Sequence, residues 1–352
     1  MHWDLFCRVV DNFGDIGVCW RLAADLASRG ERVRLWADDP SALAWMAPQG
    51  APGVEVRRWT TEWDTAEPGD VVVEAFGCHL PAPFVRRMAQ RTSAPVWINL
   101  EYLSAEPVVE RNHGLASPQL SEPGKGLSKW FFYPGFVAGT GGLIREPGLI
   151  ARQENFDAEA WWLGHGLTLR AGERAVSLFC YANPAVPALL DRLATTPTLL
   201  AATAGPAADQ VRRELGPALC RGALRAIVMP WLTQQDYDAL LCACDLNFVR
   251  GEDSFVRAQW AGKPFVWQIY PQHDHVHQAK LNAFLGRFLA AADATVAREV
   301  RALWRAWNGL SGEALTTPSL AQWRRHAEAW RAGLLTRPDM VQELVRFVSE
   351  RR

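Results

Sequence analysis

Two short runs of the sequence carry residue types that could do chemistry on a charged substrate. The first is residues 250–259 (RGEDSFVRAQ), which follow the apolar run 246–249 and open a segment with a helical pattern. A turn of this composition between a strand and a helix presents free backbone N–H groups and the positive end of a helix dipole at one point. Proteins hold phosphate and diphosphate groups in this way. We therefore predict an anion site here, to which Arg250 adds positive charge.

The second run is residues 11–17 (DNFGDIG), which places the carboxylates of Asp11 and Asp15 where a predicted strand ends and a helix begins. Carboxylates at such a point can orient a cationic group or accept a proton. They can equally be ordinary acids at a helix start, and the same alternative stands for Glu252 and Asp253. An acidic junction and an anion-holding junction, far apart in sequence, indicate a two-domain enzyme that closes a cleft over a phosphorylated donor.

Apolar runs that alternate with amphipathic segments must position both junctions. The predicted strands of the first half are residues 3–10, 33–36, 54–59, 70–76 and 95–103, and those of the second half are 175–181, 197–203, 224–230, 246–249 and 264–270. Alternation of this kind predicts α/β structure with parallel strands in doubly wound sheets, whose ligands bind at the carboxyl ends of the strands. Residues 104–170 are less regular, and helices are predicted from about 275 onward.

We predict two Rossmann-like domains from this pattern. The first, residues 1–170, carries the acidic junction, and the second, residues 171–336, carries the anion-holding junction. The final helix, about 337–352, could pack back onto the first domain.

Composition argues against several classes of function. The chain has 352 residues, of which 49% are apolar and 21% charged, as expected for a folded protein too long for one ordinary core. Its formal net charge of −1 provides no field to attract nucleic acid or an anionic membrane. No run reaches the ~20 apolar residues of a membrane span, no signal peptide is evident, and seven scattered cysteines indicate reduced thiols. We predict a cytoplasmic protein.

Glycine-rich and metal-binding motifs are missing from the sequence. Neither half carries the glycine pattern of classical dinucleotide-binding or P-loop proteins. Neither junction carries an Asp-x-Asp motif of the kind that chelates a nucleotide-bound cation. We therefore predict that no metal ion takes part.

Four runs together resemble one bacterial family. They are residues 11–18 (DNFGDIGV), 97–106 (WINLEYLSAE), 131–136 (FFYPGF) and 244–259 (CDLNFVRGEDSFVRAQ). They are similar to the protein-arginine rhamnosyltransferases that mature elongation factor P, the EarP family, and the resemblance runs essentially end to end. It implies a GT-B glycosyltransferase with two Rossmann-like domains facing across a cleft. Such an enzyme moves rhamnose from dTDP-β-L-rhamnose to one arginine of elongation factor P with inversion, and neither a metal nor a cofactor is implied.

The resemblance also assigns roles to the carboxylates. An arginine guanidinium stays protonated, with a pKa above ~12, so an enzyme that glycosylates it needs carboxylates to orient the planar group and accept a proton. On this basis Asp15 is the predicted general base and Asp11 orients the acceptor. Glu252 is a third catalytic carboxylate, in contact with either the donor sugar or the guanidinium.

The predicted donor site combines backbone N–H groups with aromatic faces. Asp253 and Ser254 would offer N–H groups to the diphosphate, and aromatic rings would stack on thymine. Where the family often has Phe, this chain has Trp231 and Tyr237, and packing in the core is the alternative for each ring. The predicted donor-binding residues are Asn12, Phe13, Gly14, Phe179, Tyr181, Trp231, Gln234, Tyr237, Arg250, Asp253, Ser254, Gln259 and Tyr270.

Two other hypotheses fit the residue patterns without the resemblance. One is a GT-B glycosyltransferase that uses another nucleotide-sugar donor or a small-molecule acceptor. The other is a nucleotide-binding scaffold protein without enzymatic activity.

Overall fold

The structure is a computed structural model, which describes residues 1–10, 13–59, 66–270, 276–312 and 315–352. The chain divides into two compact units. Unit 1 comprises Met1–Pro147 together with Arg337–Arg352, and unit 2 comprises Gly148–Thr336. Helices and strands are numbered below in chain order.

Unit 1 is built on a mostly parallel sheet. Its strands are β1 (His2–Cys7), β2 (Arg32–Ala37), β3 (Val54–Arg58), β4 (Val71–Ala75), β5 (Val96–Leu100), β6 (Ala116–Pro118) and β7 (Ser128–Phe132). Its helices are α1 (Gly14–Ser28), α2 (Leu43–Met46), α3 (Ala82–Gln90), α4 (Pro107–Asn112) and α14 (Met340–Ser349). The strand order is β3-β2-β1-β4-β5-β7-β6, and β6 runs antiparallel to β7.

Alternating side chains of these strands fill two hydrophobic layers, because successive residues of a strand point to opposite faces of the sheet. In β1, Trp3 and Leu5 face the layer that α1 and α14 cover. Phe6 faces the other layer, together with Phe84 of α3. Helices on both faces explain why β4 and β5, in the middle of the sheet, are buried along their whole length.

Unit 2 repeats this construction. Its strands are β8 (Arg174–Leu178), β9 (Thr198–Ala202), β10 (Cys220–Arg221), β11 (Leu224–Val228), β12 (Leu246–Arg250) and β13 (Phe265–Gln268). Its helices are α5 (Leu149–Glu154), α6 (Ala158–Gly164), α7 (Val186–Leu193), α8 (Pro206–Leu215), α9 (Gln234–Ala243), α10 (Asp253–Ala261), α11 (Val276–Phe288), α12 (Ala294–Trp307) and α13 (Leu320–Leu335). The strand order is β10-β11-β9-β8-β12-β13, and only β10 is antiparallel within this sheet.

The structure places the division of the chain at residue 147 instead of the predicted 170. Residues 148–170 form α5 and α6, and Trp162 of α6 is buried in one cluster with Leu199 of β9 and Leu240 of α9. This burial attaches the segment to unit 2. At the other end of the chain, α14 packs in the core of unit 1 through Val341 and Leu344.

Residues 104–170 are also more regular than the sequence indicated. Strand β7 pairs in parallel with β5, with Trp130 opposite Ile98, and so extends the sheet of unit 1. Most of β7 is only half-buried. A half-buried strand lacks the continuous apolar run that marks a strand covered on both faces.

Most of the cysteine thiols are buried in this fold. Six of the seven are buried, only Cys220 is exposed, and all are free. Burial raises the pKa of Cys180 to about 12 and that of Cys242 to about 11, so neither is ionised at neutral pH. Within the ranges that the structure describes, no helix has both the length and the apolarity to cross a membrane.

Each sheet has one point where the strand order reverses direction. In unit 1 the chain proceeds from β1 through β2 to β3 and then crosses to β4 on the other side of β1. In unit 2 it proceeds from β8 through β9 to β11 and then crosses to β12. Ligands of doubly wound sheets bind outside the carboxyl ends of the strands at these switch points. Several of the candidate site residues lie in the segments that follow β1, β8 and β12 at these points.

Candidate active site

A buried arginine lies at the switch point of unit 2. Arg250 ends β12 and is only 4% exposed. Its guanidinium carbon lies 4.4 Å from the ring centre of Phe179 and 4.4 Å from that of Tyr181, both of which follow β8. Its Nη1 has no hydrogen-bond partner among the described residues. A buried guanidinium is destabilising unless its donors are satisfied, so this group is suited to an anionic ligand.

The turn after Arg250 also places the start of α10 at the switch point of unit 2. Gly251 has φ 65°, which glycine adopts at little steric cost. The Ser254 hydroxyl accepts a hydrogen bond from the Arg250 N–H at 3.1 Å and donates to the Arg250 carbonyl. The side chain of Ser254 thus closes the turn. The first N–H groups of a helix have no acceptor within the helix, so those of Asp253 and Ser254 can serve an anion.

Two residues of α9 extend this cluster. Gln234, the buried first residue of α9, donates through Nε2 to Oδ2 of Asp253 at 3.3 Å. Tyr237 meets Phe179 edge to face, with ring centres 5.4 Å apart. Burial raises the pKa of Tyr237, so its phenol stays neutral. Asp253 is therefore held by an amide, and the rings form an apolar wall beside Arg250.

Further aromatic rings lie at the same edge of the sheet. Tyr270 follows β13 and meets Tyr181 edge to face, with ring centres 5.4 Å apart. Trp231 follows β11 and is 51% exposed. Its Cη2 lies 3.8 Å from where a Cβ on Gly205 would stand, so the indole lies beside the start of α8.

Gln259 does not lie in this cluster. It is buried farther along α10, where its Nε2 donates to the Phe255 carbonyl at 3.2 Å. Its Oε1 accepts from the Trp330 indole at 2.9 Å. One end of the amide thus bonds within α10, and the other links α10 to α13. Because residues 253 and 259 are separated by about 9 Å along a helix, their proximity in sequence did not bring them to one site.

Sequence reasoning missed two glutamines that fix Tyr181. Gln268, the last residue of β13, accepts the Tyr181 N–H at 2.8 Å through Oε1. Gln210 of α8 donates through Nε2 to the Tyr181 carbonyl at 3.1 Å and accepts the Asn183 N–H at 2.7 Å. Both glutamines are buried. A buried polar residue at a strand end is the signal that could have identified Gln268.

The carboxylate of Asp15 lies at the switch point of unit 1. Asp15 is the second residue of α1 and is 3% exposed. Its Oδ2 accepts the Val10 N–H at 2.8 Å, and its Oδ1 accepts the Tyr102 hydroxyl at 3.3 Å. The N-cap position of α1 belongs to Phe13, so Asp15 is not an N-cap residue. The positive end of the α1 dipole favours its negative charge.

The other predicted residues of this junction have different surroundings. Phe13 meets Trp45 edge to face, with ring centres 5.2 Å apart, and Gly14 begins α1. The predicted residues Asp11 and Asn12 lie outside the described residues. Glu252 is the N-cap residue of α10 and makes no side-chain capping bond.

The unit 2 cluster is suited to a ligand that combines an anionic group with a flat ring. Arg250 and the start of α10 supply positive potential, and Phe179, Tyr181 and Tyr237 supply aromatic faces. Within the described part of the chain, no group of three or more His, Cys, Asp or Glu side chains could hold a metal ion.

Comparison with known proteins identifies the family of this chain. The sequence model of one family, described as Elongation-Factor P (EF-P) rhamnosyltransferase EarP, matches residues 3–349. This chain belongs to the EarP family. A protein-arginine rhamnosyltransferase of Pseudomonas aeruginosa is 45% identical over 376 aligned residues, which cover 99% of each chain. One from Shewanella oneidensis is 35% identical, over 99% of this chain and 98% of its relative.

Solved structures agree with this membership and establish the GT-B fold. A structure described as the basis for EarP-mediated arginine glycosylation of translation elongation factor EF-P matches with a TM-score of 0.67 and 31% identity, over 99% of each chain. A Streptomyces glycosyltransferase complexed with thymidine diphosphate matches with a TM-score of 0.52 and 14% identity, over 99% of each chain. The second match bears on the fold alone. The protein is therefore a glycosyltransferase of the EarP family with two parallel-sheet domains.

Proposed function

We propose that this chain transfers rhamnose from dTDP-β-L-rhamnose to an arginine side chain of elongation factor P, with inversion and without a metal ion. Membership of the EarP family over residues 3–349 supports the reaction class. The single structural observation that carries the proposal is the buried Arg250, whose Nη1 has no partner among the described residues and which lies between Phe179 and Tyr181.

Unit 2 supplies the donor site in this proposal. The thymine ring stacks on the aromatic faces beside β8 and α9, and the diphosphate meets Arg250 and the first N–H groups of α10. Gln234 keeps the Asp253 carboxylate to one side by donating to it at 3.3 Å. The diphosphate thus meets the backbone of the α10 turn and not the Asp253 carboxylate, whose negative charge would repel it.

Unit 1 supplies the base. A terminal guanidinium nitrogen of the acceptor attacks C1 of rhamnose from the face opposite the diphosphate, and the C1–O bond breaks as the C1–N bond forms. The electron pair of the broken bond leaves with dTDP, and one proton passes from the attacking nitrogen to Asp15. The glycosylated guanidinium keeps its single positive charge. Asp11 orients the acceptor, and Glu252 contacts the donor sugar or the guanidinium.

The charge of the leaving dTDP is stabilised by protein groups in this scheme. Fixed donors aimed at developing negative charge lower the barrier without reorganising during the reaction. Arg250 and the α10 N–H groups are such donors, because Ser254 and the two aromatic rings hold them in place.

A donor-exchange assay tests the proposal against its alternatives. Purified protein is incubated with elongation factor P and, in separate reactions, with dTDP-rhamnose, dTDP-glucose or UDP-glucose, and the acceptor is analysed by intact mass. We expect elongation factor P to gain a single deoxyhexose in the reaction with dTDP-rhamnose and no sugar in the reactions with the other two donors. Addition of a hexose would establish a different donor. If the purified protein bound dTDP but transferred no sugar to elongation factor P, the result would favour either a scaffold protein without activity or an enzyme with a small-molecule acceptor.

A further inference from the structure

A tyrosine that the sequence analysis did not select holds the proposed base. Tyr102 follows β5, 87 positions from Asp15 in the chain, and its hydroxyl donates to Oδ1 of Asp15. On the other side of the carboxylate, the Val10 N–H donates to Oδ2. Each carboxylate oxygen therefore has a fixed donor from a different segment. Rotation of the carboxylate about its Cβ–Cγ bond would stretch at least one of these hydrogen bonds.

The ring of Tyr102 is fixed in turn by Phe76. The two rings are stacked, with centres 4.3 Å apart and planes 12° from parallel. Phe76 follows β4 and has φ 55°, a left-handed conformation that residues other than glycine adopt rarely. Its N–H donates to the Leu100 carbonyl at 2.7 Å, which ties it to the end of β5. Unusual backbone of this kind persists where the surroundings over-determine it and is concentrated at functional sites.

We propose that Tyr102 is a positioning residue for the transfer reaction, which fixes the plane of the Asp15 carboxylate so that a planar guanidinium meets it in one orientation. The inference rests on the proposed function, in which Asp15 accepts the proton. A guanidinium pairs best with a carboxylate that lies in its own plane. Small errors in the orientation of reacting groups reduce the rate strongly, so a carboxylate held at both oxygens gains rate over one that rotates.

The position of Tyr102 fits this role. Its side chain is partly exposed, whereas Asp15 is buried. It follows β5 and does not belong to α1, so it can hold the carboxylate without being part of the helix. In this role Tyr102 acts through Asp15, to which its hydroxyl donates.

Removal of the Tyr102 hydroxyl alone tests the proposal. Tyr102→Phe keeps the ring and its stack on Phe76, so the melting temperature and the dTDP affinity should stay at their wild-type values. We expect kcat to fall roughly tenfold, the lower end for losing a hydrogen bond to a charged group, with KM for the donor unchanged. Tyr133→Phe is the matched control, because Tyr133 is a half-buried tyrosine of unit 1 whose hydroxyl is bonded to Asn112. It should keep full kcat.

A double-mutant cycle separates positioning from general support of the fold. In the Asp15→Asn background, Tyr102→Phe should lower the residual rate no further, since its effect passes through the carboxylate. An undiminished tenfold loss in that background, or a wild-type kcat for Tyr102→Phe alone, would overturn the positioning role. If Asp15→Asn itself kept full activity, the base assignment would fail, and the role of Tyr102 with it. If Asp15→Asn lost activity but Tyr102→Phe kept the wild-type kcat, only the positioning role of Tyr102 would be refuted, and the base assignment would stand.

Discussion

The guanidinium carbon of Arg250 lies 4.4 Å from the ring centre of Phe179, and the two residues come from strands that are neighbours only in space. Phe179 follows β8 and Arg250 ends β12, and these strands pair in parallel on either side of the switch point of unit 2. A cation–π contact of this kind contributes roughly 0.5–2 kcal/mol. It fixes the face of the guanidinium against the ring and leaves the hydrogen-bonding edge to an anion.

Replacement of Arg250 should weaken binding of the diphosphate and not of the nucleoside. We expect Arg250→Met to reduce dTDP affinity by about 1.5–3 kcal/mol, the range for hydrogen bonds to charged groups, while thymidine binding changes little. Calorimetry measures the first ligand and ligand-detected NMR the second. Arg212→Met, at an exposed arginine of α8, is the control. Equal losses for both ligands would mean that Arg250 shapes the pocket and does not contact the diphosphate.

Asp15→Asn should abolish transfer but keep the donor site. The amide cannot accept the proton, so we expect the rate to fall by roughly 10²–10⁴-fold, the usual contribution of a general base. Calorimetry should give wild-type dTDP affinity, because the donor site lies in unit 2. The exposed Asp39→Asn is the matched control and should react normally. Near-normal turnover by correctly folded Asp15→Asn would remove Asp15 from its proposed role.

The rate of rhamnose transfer should not depend on divalent cations. Arg250 and the α10 N–H groups are positioned to neutralise the leaving diphosphate, so EDTA should leave the initial rate unchanged within experimental error. The measurement is the initial rate of acceptor modification with EDTA and after readdition of Mg²⁺ or Mn²⁺. A rate lost in EDTA and restored by either ion would contradict a metal-independent reaction.

The stability of unit 1 should depend on pH through Asp25. Asp25 of α1 and Asp339, the N-cap residue of α14, both pair with Arg29, at 2.7 and 2.9 Å. One guanidinium thus serves two buried carboxylates. Burial raises the pKa of Asp25 to about 6 in the folded protein, from an ordinary value of 3.8.

The sign of the effect follows from the direction of this shift. Between these two pKa values the folded protein holds a proton that the unfolded chain has released, so stability from this group is present at low pH and is lost as pH rises through about 6. Asp25→Asn stays neutral, and its stability relative to wild type should therefore improve from pH 4 to pH 7, by about 2–3 kcal/mol. Urea unfolding at both pH values measures the difference. If the stability difference between Asp25→Asn and wild type were the same at both pH values, the raised pKa of Asp25 would be refuted.

Sequence patterns predicted those helices, strands and turns that are determined by residues close together in the chain. β12 and α10 were predicted because an apolar run, a glycine turn and a helical period follow one another along the chain. Strand β7 was not recognised, because it is half-buried and its partner β5 lies some thirty residues away. The restraints on Asp15 and Tyr181 come from Tyr102 and Gln268, each 87 residues distant. No local pattern identifies contacts that only the sheet topology creates.

Intact-mass analysis of two protein acceptors, after incubation with this protein and dTDP-rhamnose, tests directly whether rhamnose is transferred to an arginine of elongation factor P. One is elongation factor P, and the other is its variant with the target arginine changed to lysine. The variant keeps the charge but lacks the planar fork that the carboxylates of Asp11 and Asp15 would recognise. We predict that elongation factor P gains one deoxyhexose and that the lysine variant gains none. In a third reaction, with free arginine as the acceptor, we expect at most a trace of the rhamnosylated product by mass. Efficient modification of the lysine variant, or of free arginine in place of elongation factor P, would contradict transfer to a protein arginine that carboxylates recognise by its planar shape.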